Sequence, residues 1–535
     1  MQSPLRLRRP RTGPRGLARS MAASLGAALL GSAFAASSDT PNSLQTHAAS
    51  ALSAQVDAYR RAHEAAIVGE LAVLTRLKSV AADPAGLLAM AQHLEQALRE
   101  RGFKVTELSA APGTAPLVFG ALQVPHAKRT VAYYAHYDGQ PVTPSQWSSD
   151  PFEPVMRAGG SLQDPTVDWH AAASPFNPEW RFYARAVSDD KATIAAFLAA
   201  FDALKALKKT PSVNIKVLWE GEEEAGSAHL LKILQDNQTL LTADLFLIGD
   251  GPVHQTRRPM VFFGARGETG LEATIYGPIR ALHDGHYGNW VPNPAVMAAE
   301  LITEMRDDEG RILIPGFADD VRPLTPDEQR ALAALPPIDA DLKRDYAIGR
   351  TEGGESLAAS IMRPALNVRG IRTGQVGEAA ANAIPVDAKI SIDFRLVPGQ
   401  TPTGVRDKVE GFLQAKGWTI VSSEPDADAR RTHARLIRLE WEMGYGALRS
   451  DMSSPPAKAV IAAANAAAGA PVVVMPMSGG SVPLYTFAEN FQVPIVCLPI
   501  VNHDNNQHAA NENLRLQNLW DGIDVYAAML ADLNW

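Results

Sequence analysis

The chain has 535 residues, 46% hydrophobic and 20% charged, with 58 acidic against 50 basic side chains and a net charge of −8. That length allows two domains with cores of their own, and the acidic balance argues against nucleic acid or an anionic membrane as a partner. A single cysteine, Cys497, excludes an intrachain disulfide framework and a cysteine-based zinc knuckle.

The first 35 residues read as a targeting segment. Met1–Ser20 carries six arginines and no acid, and the small apolar run that follows ends on Ala33-Phe34-Ala35, the A-x-A pattern of a cleaved secretory signal. An arginine-rich organelle transit peptide is the competing reading. Removing six arginines and no acid moves the net charge from −8 to −14. The run is too short for a stable membrane span, so the sequence predicts an exported protein, periplasmic or secreted.

Beyond it, helical stretches, glycines and short apolar strands alternate, which predicts an α/β fold with a mainly parallel sheet. Asp83-Pro84 is a helix start, with a capping carboxylate and then proline in the first turn, and Gly102 stops that helix. The strand Val131–Ala135 ends at His136-Tyr137-Asp138. A carboxylate two residues from an imidazole can hold its second ring nitrogen, although such pairs also arise by chance. The segment Gln140–Arg181 is rich in Pro, Ser, Asp and Trp, as functional or mobile loops are. Asp189 and Asp190 then open an alanine-rich stretch, Ala192–Leu207, that reads as an amphipathic helix. N-capping accounts for one of these two acids more easily than for both.

The strand Val213–Trp219 runs into EGEEEAGS, residues 220–227, where Glu220, Glu222, Glu223 and Glu224 crowd together. Such carboxylates repel each other unless something positive sits among them. The run is therefore either a solvated acidic turn or a divalent-metal site with a carboxylate base. The strand Leu245–Ile248 leads to Asp250, and VPIVCLPI, in which Cys497 reads as a buried inert thiol, leads to His503 and His508. Ligands gather at the carboxyl ends of strands in open α/β sheets, so repeated delivery of acids and histidines there favours the metal site. Residues 268–447 have a different character. An alternating strand, GETGLEATIYG, precedes HDGHYGNWVPNP with His283 and His286, and AKISIDFR alternates again at 388–395. They read as an inserted α+β domain that divides a catalytic domain into 48–267 and 448–535.

The pieces AHYDGQPV (135–142), SDPFEPV (149–155), SDDK (188–191), EGEEEAGS (220–227), FLIGD (246–250), LHDGHYG (282–288), DFRLVPGQ (393–400) and NNQHAANENL (505–514) occur in the order of a known family. The chain resembles the di-metal exopeptidases that include carnosine dipeptidases, glutamate carboxypeptidase and aminoacylase, nearest the carnosine-dipeptidase branch. The resemblance implies a mainly parallel-sheet catalytic domain flanked by helices, with residues 268–447 as lid and dimerisation domain. It implies two divalent ions per subunit, zinc foremost, with manganese or cobalt acceptable to the same N/O ligands. Asp189 would bridge them, His136 and Asp250 would complete one site, and Glu224 and His508 the other. Asp138 would orient His136, and Glu223 would be the general base. His283 would reach the partner's site in a homodimer to stabilise the oxyanion, Arg395 would hold the substrate carboxylate, and Ser481 would line the pocket. The implied reaction is hydrolysis of dipeptides or short peptides with a free C-terminal carboxylate. The alternative is deacylation of N-acyl amino acids by the same site, and an intact Glu223 argues against a non-catalytic metal-bearing protein. Three departures touch loop geometry: Ala184-Arg185-Ala186 where G-R-G is frequent, Asp284 where serine is usual after the lid histidine, and Ala192 where glycine follows D-D-K. Residues 161–180 read as an insertion beside the bridging acid.

Overall fold

Short apolar runs bounded by Gly, Pro and Asp pair into an eight-stranded sheet at the centre of the protein. The computed structural model describes residues 51–480, 482 and 484–535, so the targeting segment 1–35 and Ser481 lie outside the described residues. In spatial order the strands are Lys104–Leu108, Leu117–Leu122, Asn214–Glu220, Thr130–His136, Leu245–Ile248, Ile495–Cys497, Met260–Phe262 and Val473–Met475. Four of the seven pairings are parallel, and three are antiparallel. Register places His136 opposite Glu220 and Tyr134 opposite Ile248. The strands that deliver His136, Glu220 and Asp250 therefore finish at one edge, where a parallel sheet presents its ligands.

Alternation along Thr130–His136 divides the core. Val131, Tyr133 and Ala135 join one apolar cluster, and Ala132 and Tyr134 join the other, as the two-residue period of a strand requires. The first face is covered by the helices Ala51–Arg76, Ala192–Ala206, Pro455–Ala468 and Leu516–Ala531, and the second by Leu230–Asp236 and Leu484–Phe491. The predicted helix over Ala192–Leu207 forms as Ala192–Ala206 but is not amphipathic. Ala192–Ala206 is buried on nearly every side, because the first and last helices cover the face turned away from the sheet. A helix that is apolar all round belongs inside a core. Pro84–Glu100 begins as predicted, with Asp83 accepting from the Gly86 N–H at 2.9 Å.

A second sheet of five strands runs Ala365–Arg372, Asp387–Leu396, Gly267–Tyr276, Leu436–Tyr445 and Thr419–Val421. The helices Pro294–Met305 and Pro402–Ala415 bury Met297, Leu301, Val405 and Phe412 against it. The long connection between Pro294–Met305 and Ala365–Arg372 returns to the larger sheet, where its helix Pro326–Ala333 meets the strand Val473–Met475 and buried Glu328 meets Arg449 Nε at 2.8 Å. Within residues 161–180, Ser174–Phe176 meets the helix Ala51–Arg76. Trp169 and Phe176 are buried, and Ser174 Oγ and the Phe176 N–H both donate to Glu64 Oε2, at 2.7 and 2.6 Å. No described helix is long and apolar enough to cross a membrane.

Candidate metal centre

Five predicted ligands come together at the sheet edge. Ligand atoms of His136, Asp189 and Asp250 lie within 4.8 Å of one another, as do those of Asp189, Glu224 and His508. The two groups share Asp189. Its Oδ1 is 3.0 Å from His136 Nε2 and its Oδ2 is 3.0 Å from His508 Nε2, while His508 Nε2 is 3.3 Å from Glu224 Oε2.

Each side chain arrives by a local route. His136 ends the central strand with its ring fully buried. Asp189 projects from an irregular turn, Val187–Lys191, that leads into the buried helix. Neither Asp189 nor Asp190 caps that helix through an N–H bond of the expected kind. Asp190 instead accepts from Thr193 Oγ1. Within EGEEEAGS the four acids separate by partner. Glu220 accepts from Tyr134 Oη at 2.7 Å, and Glu222 lies 2.7 Å from His229 Nδ1. Glu223 and Glu224 are left towards the site, on a short turn closed by Gly226 at φ 85°. Asp138 does more than face His136 Nδ1 at 3.4 Å: it accepts the N–H groups of Glu223 and Glu224, at 3.2 and 3.0 Å. Gly221 admits this turn because a Cβ there would come 2.3 Å from Tyr137 Oη.

The electrostatics calls for positive charge. Burial raises the Glu224 carboxyl to about 8 and Asp250 to about 6, with Asp189 adding to both. Burial, then Asp250, Asp189 and Glu224, push Glu223 well above the usual carboxylate range, against a lowering by His136. For Asp189 burial is outweighed by hydrogen bonds with His136 and His508, which hold it below that range. Glu224 Oε1 is buried with no hydrogen-bond donor. Crowded, undersupplied carboxylates beside two imidazoles fit a pair of divalent ions, each offered one nitrogen and two acids with room left for water.

A cleft of about 840 Å³ opens over these groups, lined by Asp189, Glu223, Asp250 and His508 on one side and Arg266, Glu268 and Arg395 on the other. The Arg395 fork is directed by two acids: Nη1 donates to Glu268 Oε2 at 2.7 Å and Nε to Asp393 Oδ2 at 2.9 Å. His283 does not line this cleft. It is exposed, its ring 4.5 Å from that of His286. His503 belongs to neither ligand group. Ser481 is outside the described residues, while Gly480 and Val482 on either side of it line the cleft. Two residues given no role from the sequence also touch the site. Gln140 Nε2 donates to Glu224 Oε2 at 2.6 Å, and buried Glu512 accepts the N–H of Asp189 at 3.1 Å. Both fall inside the motifs quoted above, yet nothing in their spacing distinguishes them from surface polar residues.

Comparison with known proteins follows the same line. The sequence model of Peptidase family M20/M25/M40 matches residues 132–532. The chain is 26% identical over 427 residues to the Cys-Gly metallodipeptidase dug1 of Schizosaccharomyces pombe, covering 78% of this chain and 83% of that protein. It is 24% identical over 427 residues to the Beta-Ala-His dipeptidase of Homo sapiens, covering 78% and 77% respectively. Among solved structures, the M20 family metallo-carboxypeptidase Sso-CP2 from Sulfolobus solfataricus superposes with a TM-score of 0.71 at 27% identity, over 87% of this chain and 98% of that one.

Proposed function

The chain belongs to Peptidase family M20/M25/M40 and is a metallopeptidase, and from that premise we propose that it hydrolyses dipeptides or short peptides bearing a free C-terminal carboxylate. The observation that carries the reading is the pair of ligand groups sharing Asp189 beneath a cleft that also holds Glu223 and Arg395. The relatives named for Cys-Gly and Beta-Ala-His dipeptidase activity support a two-residue substrate.

In this reading His136, Asp189 and Asp250 hold one divalent ion, and Asp189, Glu224 and His508 the other, with zinc the first choice and manganese or cobalt suited to the same donors. Ions held there would supply Lewis acidity towards a scissile carbonyl and a water. Glu223 takes the proton of that water and returns it to the leaving nitrogen. Asp138 keeps His136 in orientation and, through its bonds to two amides, keeps Glu223 in place. Arg395, its fork fixed by Glu268 and Asp393, holds the substrate carboxylate in two places. His283, which does not line its own cleft, serves the partner's site in a homodimer as donor to the carbonyl oxygen, and Ser481 lines the pocket. Residues 268–447 act as the lid and dimerisation domain. Export rests on the arginine-rich start and the apolar run closed by Ala33-Phe34-Ala35.

The test is a dipeptide panel with matching N-acyl amino acids, run on chelator-treated protein before and after zinc or manganese is restored. Hydrolysis of dipeptides should return with metal. Glu223→Gln should lower kcat by about 10²–10⁴-fold, the usual worth of a general base, while still binding metal. Cleavage confined to N-acyl amino acids would replace the peptide reading by deacylation, and an undiminished kcat in Glu223→Gln would remove the assigned base.

A further inference from the structure

The carboxylate of Glu512 is 0% exposed and has no place among the ligands or in the cleft. Burying a charge of that kind is costly unless every lone pair is engaged. Here they are engaged by one turn. Oε1 accepts the N–H groups of Ser188 and Asp189, at 2.8 and 3.1 Å. Oε2 accepts the Ala186 N–H at 2.9 Å and Arg185 Nη1 at 2.8 Å. A single side chain thus fixes the backbone of the segment that presents the shared ligand Asp189.

The other end of the same residue leads to the second imidazole. His508 lies four positions earlier on the loop, in the left-handed region at φ 61°. Arg185 closes the circuit, since its Nη2 donates to the Ala509 carbonyl at 3.1 Å. The two histidines differ in what else holds them. His136 is embedded in the central strand and fully buried, whereas the His508 side chain is 56% exposed. Its place relative to Asp189 depends on the tie between loop and turn.

We propose that Glu512 is a positioning residue for the Asp189–Glu224–His508 site, setting the separation of Asp189 and His508, so that this site depends on it more than the His136–Asp189–Asp250 site does. The inference rests on the two-ion reading above. Loss of a group that orients a ligand typically weakens metal binding by about 10–100-fold. In Glu512→Gln the amide nitrogen must face donors on one side, so two of the four bonds are replaced by donor–donor contacts.

The experiment is calorimetric titration of chelator-stripped protein with zinc, and separately with manganese, for the wild type, Glu512→Gln and Arg185→Lys. The wild type should show two binding events. Glu512→Gln should weaken one of them by about 10–100-fold and leave the other within about threefold. Arg185→Lys removes the fork to Ala509 while sparing the amide bonds to Glu512. It should weaken the same event by a smaller factor, and it decides the matter alone if Glu512→Gln does not fold. Turnover should recover at raised metal with KM unchanged, which a general loss of structure would not permit. Equal weakening of both events, or no change in either variant, overturns the proposal. If the wild type binds two ions but cleaves no peptide, the functional reading fails while the positioning claim is still decided by the titration.

Discussion

Among the described residues, Asp189 is the one side chain that both His136 and His508 approach, each at 3.0 Å, and the acids around it bear the cost of that arrangement. Glu224 shows the consequence most directly. Its carboxyl is raised to about 8 by burial and then by Asp189. In metal-free protein the folded state therefore keeps a proton that the unfolded chain has released, and the associated stability is lost as pH rises through about 8. At pH 8.5, chelated Glu224→Gln should melt no lower than chelated wild type. Saturating zinc reverses the order. At a hundredfold excess over Kd a bound ion stabilises by about 2.7 kcal/mol, and the variant should gain less than half of the wild-type increment. Scanning calorimetry with chelator and with zinc checks both signs, and equal increments would deny Glu224 a ligand role. At this scale the sequence is legible where a residue type has few other uses, as with an imidazole or a cluster of acids at a strand end. It is silent on Gln140 and Glu512, whose roles exist only through bonds to groups far away in the chain. Ala186 is a further case. It occupies φ 59° where the resembled family favours glycine, and a Cβ on Gly139 would stand 2.8 Å from its own, so the small residues here answer to each other.

The element that transmits these demands is the helix Ala192–Ala206. Its first turn continues from Asp189, and twelve of its residues are buried. Sequence periodicity gave it one apolar face, because alanine is equally at home against a core or towards solvent. The helices that cover its other side come from the two ends of the chain and cannot be read from a local window. Burial on nearly every side has a measurable consequence. Ala196, 0% exposed, has no room for a larger side chain, and overpacking a close-packed core costs about 1–3 kcal/mol. Ala196→Leu should lower stability in urea by that amount and weaken metal binding, since the helix start shifts with it. Ala206→Leu, at the exposed end, should change stability by less than about 0.5 kcal/mol. Strand ends were easier to read than this helix, because short apolar runs stop abruptly at His136, Glu220 and Asp250.

The larger sheet draws strands from residues 104 to 497. Their spatial order follows from crossovers and long-range pairings that a linear pattern does not encode, although the α/β class and its second, separate sheet were legible from alternation. The same closure brings the first described helix against the last. Arg60 lies over the Trp520 ring, 5.1 Å from its centroid, and Asp524 sits in this seam. Burial, then Asp57 and Asp521, raise its carboxyl to about 7, with Arg60 offsetting part of the rise. Because the unfolded value lies near 4, the folded state binds more protons between those two pH values, and stability falls as pH rises through that window. Asp524→Asn carries no such charge. Its melting temperature should match the wild type near pH 4 and exceed it by the equivalent of about 1 kcal/mol at pH 8, in chelated and metal-loaded protein alike, because Asp524 belongs to neither proposed ligand group. Parallel melting curves for the two proteins across that range would show that Asp524 ionises in the folded state as it does in the unfolded chain.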